Sequence, residues 1–93
     1  MIPVTEKQFQ SQVVELAKTL RWSVYHTFDS RHSTAGYPDL TLVRERIIFA
    51  ELKVGRGKLS PAQIEWRDLL VNAGASWCLW RPADWDAIVH TLR

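Results

Sequence analysis

Cys78 is the chain's single cysteine. An internal disulfide is therefore excluded, and so is a thiolate cluster holding a metal. Cys78 lies in an apolar run and reads as a small buried hydrophobe, not a nucleophile. No window of about 18 apolar residues exists, which excludes a membrane-spanning helix. The first residues lack the apolar centre of a secretory signal, so a soluble, cytoplasmic protein is the expectation. Internal repeats, low-complexity tracts and linkers are missing as well. Charge is almost balanced: 12 Lys and Arg against 10 Asp and Glu leave a net charge of +2. That excess is too mild to announce a polyanionic partner through bulk electrostatics.

What is present is an ordinary globular composition, 46% apolar and 24% charged over 93 residues. That is enough for one core with little to spare, so residues 1–93 read as one domain. Five tryptophans are many for this length. Some belong to the core, and the others favour a self-association surface, where Trp is enriched.

Thr5-Glu6-Lys7-Gln8 is a capping box, with Val4 and Phe9 at the staple positions. Phe9, Val13, Leu16, Ala17 and Leu20 then repeat at helical period. Glu6 extends that buried stripe at its N-terminal end. It reads either as a partner of the helix dipole or as an acid entering a site beside the helix. Trp22 to Phe28 alternates as a strand, and the segment from Asp29 to Tyr37 is a loop punctuated by Gly36 and Pro38. Ser60-Pro61-Ala62-Gln63 starts a second helix with an N-cap, a proline at the first position and a capping-box glutamine. This helix is expected to turn Ile64, Leu69, Leu70 and Ala73 inward and to stop at Gly74. Ser76 to Trp80 is a further strand, and Asp84 to Leu92 a last helix with Trp85, Ile88, Val89 and Leu92 on its apolar side. The order is α-β-β-β-α-β-α: an α/β fold with a mixed sheet flanked by helices. The β-α-β unit calls for a parallel crossover.

The second and third strands form a countable hairpin. Leu40 to Val43 and Ile47 to Ala50 are joined by Arg44-Glu45-Arg46, a common loop length. Counting outward pairs Val43 with Ile47 and brings Asp39 opposite Glu51. Opposed residues share a face with Cβ atoms about 4.5–5.5 Å apart. Lys53 follows Glu51 onto that face, while Leu52 turns to the other. Opposed like charges need compensation, and a divalent cation on oxygen ligands supplies it. A solvated charge network of Asp39, Glu51 and Lys53 is the plain alternative. Basic residues gather nearby: Lys53, Arg56 and Lys58 around two glycines, and Asp29-Ser30-Arg31-His32 in the preceding loop. A basic patch around an acidic pocket suits a polyanion whose phosphate sits on a metal, although scattered solubilising charge gives the same pattern.

Glu6 on the first helix, Gly36-Tyr37-Pro38-Asp39, Glu51-Leu52-Lys53 and Gly57-Lys58-Leu59-Ser60-Pro61-Ala62-Gln63, in that order, resemble the VRR-NUC domain of the PD-(D/E)xK nuclease superfamily. The resemblance runs from Glu6 to the Trp85 region. It implies a restriction-endonuclease-like αβββαβα core and a metal-dependent DNA endonuclease. It makes Asp39 and Glu51 metal ligands, with the Leu52 carbonyl and Glu6 as further ligands, direct or through water. Hard oxygen donors of this kind suit Mg²⁺ or Mn²⁺. Lys53 would orient the attacking water or stabilise charge on the transition state. Gln63 is either a contact supporting the metal and phosphate or simply a capping residue.

Arg56 and Lys58 would meet the DNA backbone, and Arg31 and Ser33 (with Ser30) are loop candidates for phosphate. The absence of further domains makes the chain look like the stand-alone form, which the family associates with homodimers and branched DNA such as Holliday junctions. Nucleases of flaps or duplex ends, and a binding module without catalysis, are the alternatives. His26 reads as a packed or hydrogen-bonded residue, and His32 and His90 receive no role.

Overall fold

The computed structural model describes residues 4–28 and 34–93. Thr5 opens α1 (Glu6–Thr19) with a reciprocal capping box. Its hydroxyl accepts from the Gln8 N–H at 3.1 Å, while Gln8 Oε1 accepts from the Thr5 N–H at 2.9 Å. Two orphan amides of the first turn are thus satisfied. Phe9, Val13 and Ala17 are buried, and Leu16 and Leu20 pack beside the same core. The helix ends in a Schellman motif: the Trp22 N–H reaches the Ala17 carbonyl at 2.9 Å and the Arg21 N–H that of Lys18 at 3.0 Å. Arg21 takes the left-handed position, with φ of 71°, where glycine is the usual residue.

Then follow β1 (Ser23–His26), β2 (Leu40–Val43), β3 (Ile47–Leu52), α2 (Pro61–Asn72), β4 (Ser76–Trp80), a 3₁₀ turn at Pro82–Asp84 and α3 (Trp85–Leu92). This is the expected order. The sheet runs β1-β2-β3-β4, with antiparallel pairs up to β3 and β4 parallel to β3. Val43 pairs with Ile47 and Leu40 with Ala50, the register that the three-residue loop demands. β1 is shorter than the alternating run suggests, because Trp22 belongs to the core. The residue is 3% exposed, its Nε1 donates to the Leu92 carbonyl at 2.9 Å, and the Arg44 guanidinium lies 4.6 Å from the ring centre. Arg44 also donates to the carbonyls of Leu20, Leu92 and Arg93. One side chain at the hairpin tip thereby serves the C-terminal ends of two helices.

Leu40, Leu42, Ile48, Ala50 and Leu52 fill one face of the sheet and meet Phe9, Val13 and Ala17 of α1 and Ile88 and Leu92 of α3. Each large side chain so buried contributes roughly 1.5–3 kcal/mol. Cys78 packs at the edge of this core, and burial raises its thiol pKa. Strand alternation sends Phe49 and Glu51 to the opposite face, towards α2.

On that face the expected packing of α2 is wrong. Ile64 and Leu69 are 37% and 55% exposed, and Ala73 is exposed too. Leu70 is half-buried, along with Ala62, Gln63, Trp66 and Arg67, and no residue of α2 is fully buried. The helix is oriented by a glutamine and a tryptophan at its start, not by an apolar stripe. Among the described residues no helix is long and apolar enough to cross a membrane.

Arg21→Gly is expected to stabilise the protein by roughly 0.5–1 kcal/mol, the relief of a left-handed β-carbon less the added entropy of glycine. Urea unfolding with an unchanged m-value is the measurement.

Candidate active site

β3 outruns β2 by two residues, so Glu51 and Leu52 have no backbone partner in the hairpin. Asp39 fills the gap with its side chain: Oδ2 accepts from the Leu52 N–H at 2.8 Å. In a strand, a residue's N–H and C=O face the same neighbour, so the Leu52 carbonyl also faces this edge. Asp39 is itself fixed from β1. Thr27 donates its N–H to the Asp39 carbonyl at 2.8 Å and its hydroxyl to the Pro38 carbonyl at 2.7 Å.

Glu51 is 1% exposed and is the buried charged residue of the described chain. Its Oε1 accepts from Gln63 Nε2 at 3.0 Å, and its Oε2 has no hydrogen-bond partner. Burial raises the Glu51 pKa well above its ordinary 4.5. Asp39 beside it pushes it further, Lys53 opposes the rise, and Glu6 adds to it. The two acids of the hairpin therefore oppose each other's ionisation.

Gln63 caps α2 and also reaches Glu51. Its Oε1 accepts from the Ser60 N–H at 2.8 Å, and Ser60 Oγ accepts from the Gln63 N–H at 3.2 Å, completing the cap of α2. With the amide oxygen occupied, only the NH₂ end remains for Glu51. Gly36 allows the helix to come this near. Its φ is +84°, and a β-carbon there would stand 2.4 Å from the Ala62 carbonyl and 2.7 Å from the Gln63 nitrogen. Tyr37 packs edge-to-face on Trp66, with ring centres 5.0 Å apart, and on Phe49 at 6.3 Å. The Gly-Tyr-Pro-Asp turn is thus tied to the helix and to the strand that carry the other site residues.

Glu6 stands exposed at the head of α1, not in the buried stripe. Its charge reaches Glu51, yet among the described residues no three acids, histidines or cysteines gather closely enough to cage an ion. Lys53 is half-buried on the Glu51 side of β3, and its N–H is held by the Trp80 carbonyl at 3.1 Å. Arg56 and Lys58 are exposed in the loop before α2. Arg81 holds that loop, donating to the carbonyls of Gly55 at 3.3 Å and Gly57 at 2.7 Å. Ser30, Arg31, His32 and Ser33 lie outside the described residues. His26 is exposed, with its ring 4.6 Å from that of Phe28. Sequence reasoning missed Thr27 and Arg81. Nothing in a strand-end threonine or a lone arginine before proline marks a side chain that braces a loop.

No family model matches the chain, and no curated protein does. Solved structures that share its architecture include two VRR_NUC-named chains. One, named "VRR_NUC domain protein", superposes with a TM-score of 0.75 at 22% identity, over 99% of this chain and 88% of its own. Another, named "VRR_NUC domain", gives 0.75 at 22% identity over 91% and 94%. The fold is that of a VRR_NUC domain. Within this VRR_NUC fold the acids lie where β3 leaves the hairpin and α2 begins.

Gly36→Ala is expected to cost roughly 2–4 kcal/mol, combining left-handed strain with overlap on helix backbone; denaturant unfolding reads it. Glu51→Gln is expected to do the reverse in chelator. Folding takes up a proton at Glu51 at any pH between the unfolded pKa and the raised folded one, so the cost is small near pH 5 and grows towards pH 8. The amide avoids that cost and can donate to Asp39. The variant should gain on the order of 1–3 kcal/mol at pH 8 and little at pH 5, read from thermal unfolding at the two values.

Proposed function

We propose that this protein is a cytoplasmic, Mg²⁺- or Mn²⁺-dependent DNA endonuclease that hydrolyses phosphodiester bonds, prefers branched DNA such as Holliday junctions and works as a homodimer. The observation that carries this reading is Glu51. A carboxyl group sealed from water beside a second carboxyl, with one oxygen lacking a donor, costs stability in a small domain. Such strain is characteristic of a site that binds something.

The donor set fits a hard divalent cation. Mg²⁺ is commonly held by one or two carboxylates and keeps several waters, so Asp39 and Glu51, the Leu52 carbonyl and a water-linked Glu6 are sufficient. When bound, the ion supplies Lewis acidity at the phosphate and makes water more acidic. The chain does the rest. Asp39 and Glu51 would hold that ion, and Gln63 keeps the Glu51 carboxylate aimed. Lys53 orients the attacking water and offsets charge growing on the phosphate oxygens. Arg56 and Lys58, together with Arg31 and Ser33, neutralise neighbouring phosphates and set the strand's path. A dimer suits the substrate, because two symmetric nicks need two sites. The exposed Val43, Ile47, Leu69 and Val71, at 41%, 50%, 55% and 52%, supply apolar surface for it.

The test is a cleavage panel of four-way junction, flap, single strand and linear duplex in Mg²⁺, Mn²⁺ or chelator. Junction cutting that chelator abolishes is expected; cutting that persists in chelator removes the metal mechanism, and equal cutting of all four removes the structural preference. Lys53→Ala should abolish turnover and keep Mn²⁺ binding by calorimetry, whereas Asp39→Asn should lose the binding heat. If Lys53→Ala no longer folds, the lysine is structural.

A further inference from the structure

Beside the acidic site, β1 and α2 leave a cleft whose walls are aromatic. Tyr25 pairs in register with Thr41, on the sheet face turned towards α2. It borders a depression of about 370 Å³ together with Thr27, Thr34, Tyr37 and Trp66. Thr27, Thr34 and Tyr37 also border a second depression of about 190 Å³, which contains Asp39 and Gln63. The two adjoin along those shared residues: one has aromatic walls, and the other reaches Asp39 and Gln63.

We propose that the aromatic cleft of Tyr25, Tyr37 and Trp66 binds an unpaired nucleobase belonging to a nucleotide next to the bond being cut. The proposal rests on the nuclease reading and adds what that reading leaves open, the feature of branched DNA that is sensed. Three observations support it. Tyr37 and Trp66 brace each other edge-to-face, with ring centres 5.0 Å apart and planes at 77°, so one wall is preformed. Tyr25 is 58% exposed and meets the Phe28 ring edge-on at 6.5 Å, so a large flat side chain stands in water where little of the core can gain from it. Thr34 is exposed at the shared rim, where its hydroxyl is a polar group within a mostly aromatic lining.

A nucleotide hangs its base beside its phosphate, and a phosphate at Asp39 and Glu51 places a neighbouring base at the adjoining cleft. A base inside an intact duplex is stacked on both faces and cannot enter. A base at a branch point, flap or single strand enters with little or no unpairing cost. The preference is then for locally opened DNA, and a four-way junction is one source of it.

The experiment measures binding of fluorescent oligonucleotides to the full chain by anisotropy, in chelator and in Ca²⁺. The probes are a single strand, a splayed-arm duplex and a blunt, fully paired duplex. Stacking is worth about 1–3 kcal/mol per base, so Tyr25→Ala should weaken single-strand and splayed-arm binding roughly 5- to 150-fold. Duplex binding should stay within about twofold, since backbone contacts are untouched. Tyr25→Trp should restore the loss, which a merely structural role for the tyrosine does not predict. Equal loss on all three probes, or no loss on any, overturns the base cleft and leaves the nuclease reading standing. No binding of any DNA in either condition overturns both.

Discussion

Two carboxyl groups held together at the open end of a hairpin are the constraint around which this domain is arranged. An isolated buried carboxylate is expensive, and a second one beside it is worse. The fold does not dilute the conflict with solvent; it seals Glu51 to 1% exposure and offers one amide hydrogen at 3.0 Å. Asp39 is treated differently, taking the Leu52 N–H that a continuing strand would have taken. One acid is thus tied to backbone and the other to a helix, and neither can swing away to relieve the repulsion. Natural domains retain that kind of frustration where function needs it.

The helix that supplies the amide is itself unusual. α2 buries no side chain fully, so its position cannot come from a packed stripe as that of α1 does. It is held at its first turns: by the Ser60–Gln63 cap, by Gly36 running against the Ala62 backbone, and by Trp66 on Tyr37. These contacts also aim the Gln63 amide. Stability of α2 and geometry of the acids are consequently one property, because Gln63 satisfies the helix terminus with one end and Glu51 with the other. A substitution that loosens the helix start disturbs the carboxyl pair, even without touching it.

The element order, both caps, the stop at Gly74 and the hairpin register were legible in the sequence, for local reasons. Capping boxes, a proline at the first helical position and a three-residue loop between alternating strands are decided within a few residues. The inward face of α2 was not legible, since Ile64 and Leu69 advertise an apolar stripe that the sheet does not receive. Glu6 likewise continues the stripe of Phe9 and Val13 on paper, yet stays in solvent, while Val4 before it is the residue that packs against the core. Thr27 and Arg81 act across 11 and more than 20 residues of chain, beyond the reach of any local pattern. Gly36 was visible only as punctuation; its steric role appears once α2 is seen lying 2.4 Å from where a β-carbon would be.

The faces of the sheet divide the work in a way that explains this pattern. The face under α1 and α3 is a closed apolar core, and there periodicity predicts burial well. The face under α2 holds Phe49, Glu51 and the aromatic cleft, and it is organised by hydrogen bonds and ring contacts that no periodicity encodes. A chain of this size has apolar surface enough to close one face of a four-stranded sheet. Leaving the other incompletely covered gives up some burial, but it keeps Asp39, the Gln63 amide and the aromatic walls on a single ledge above the sealed Glu51, bordered by the basic loop that Arg81 braces. The side of the sheet that contributes least to folding is therefore the side on which chemistry can be built.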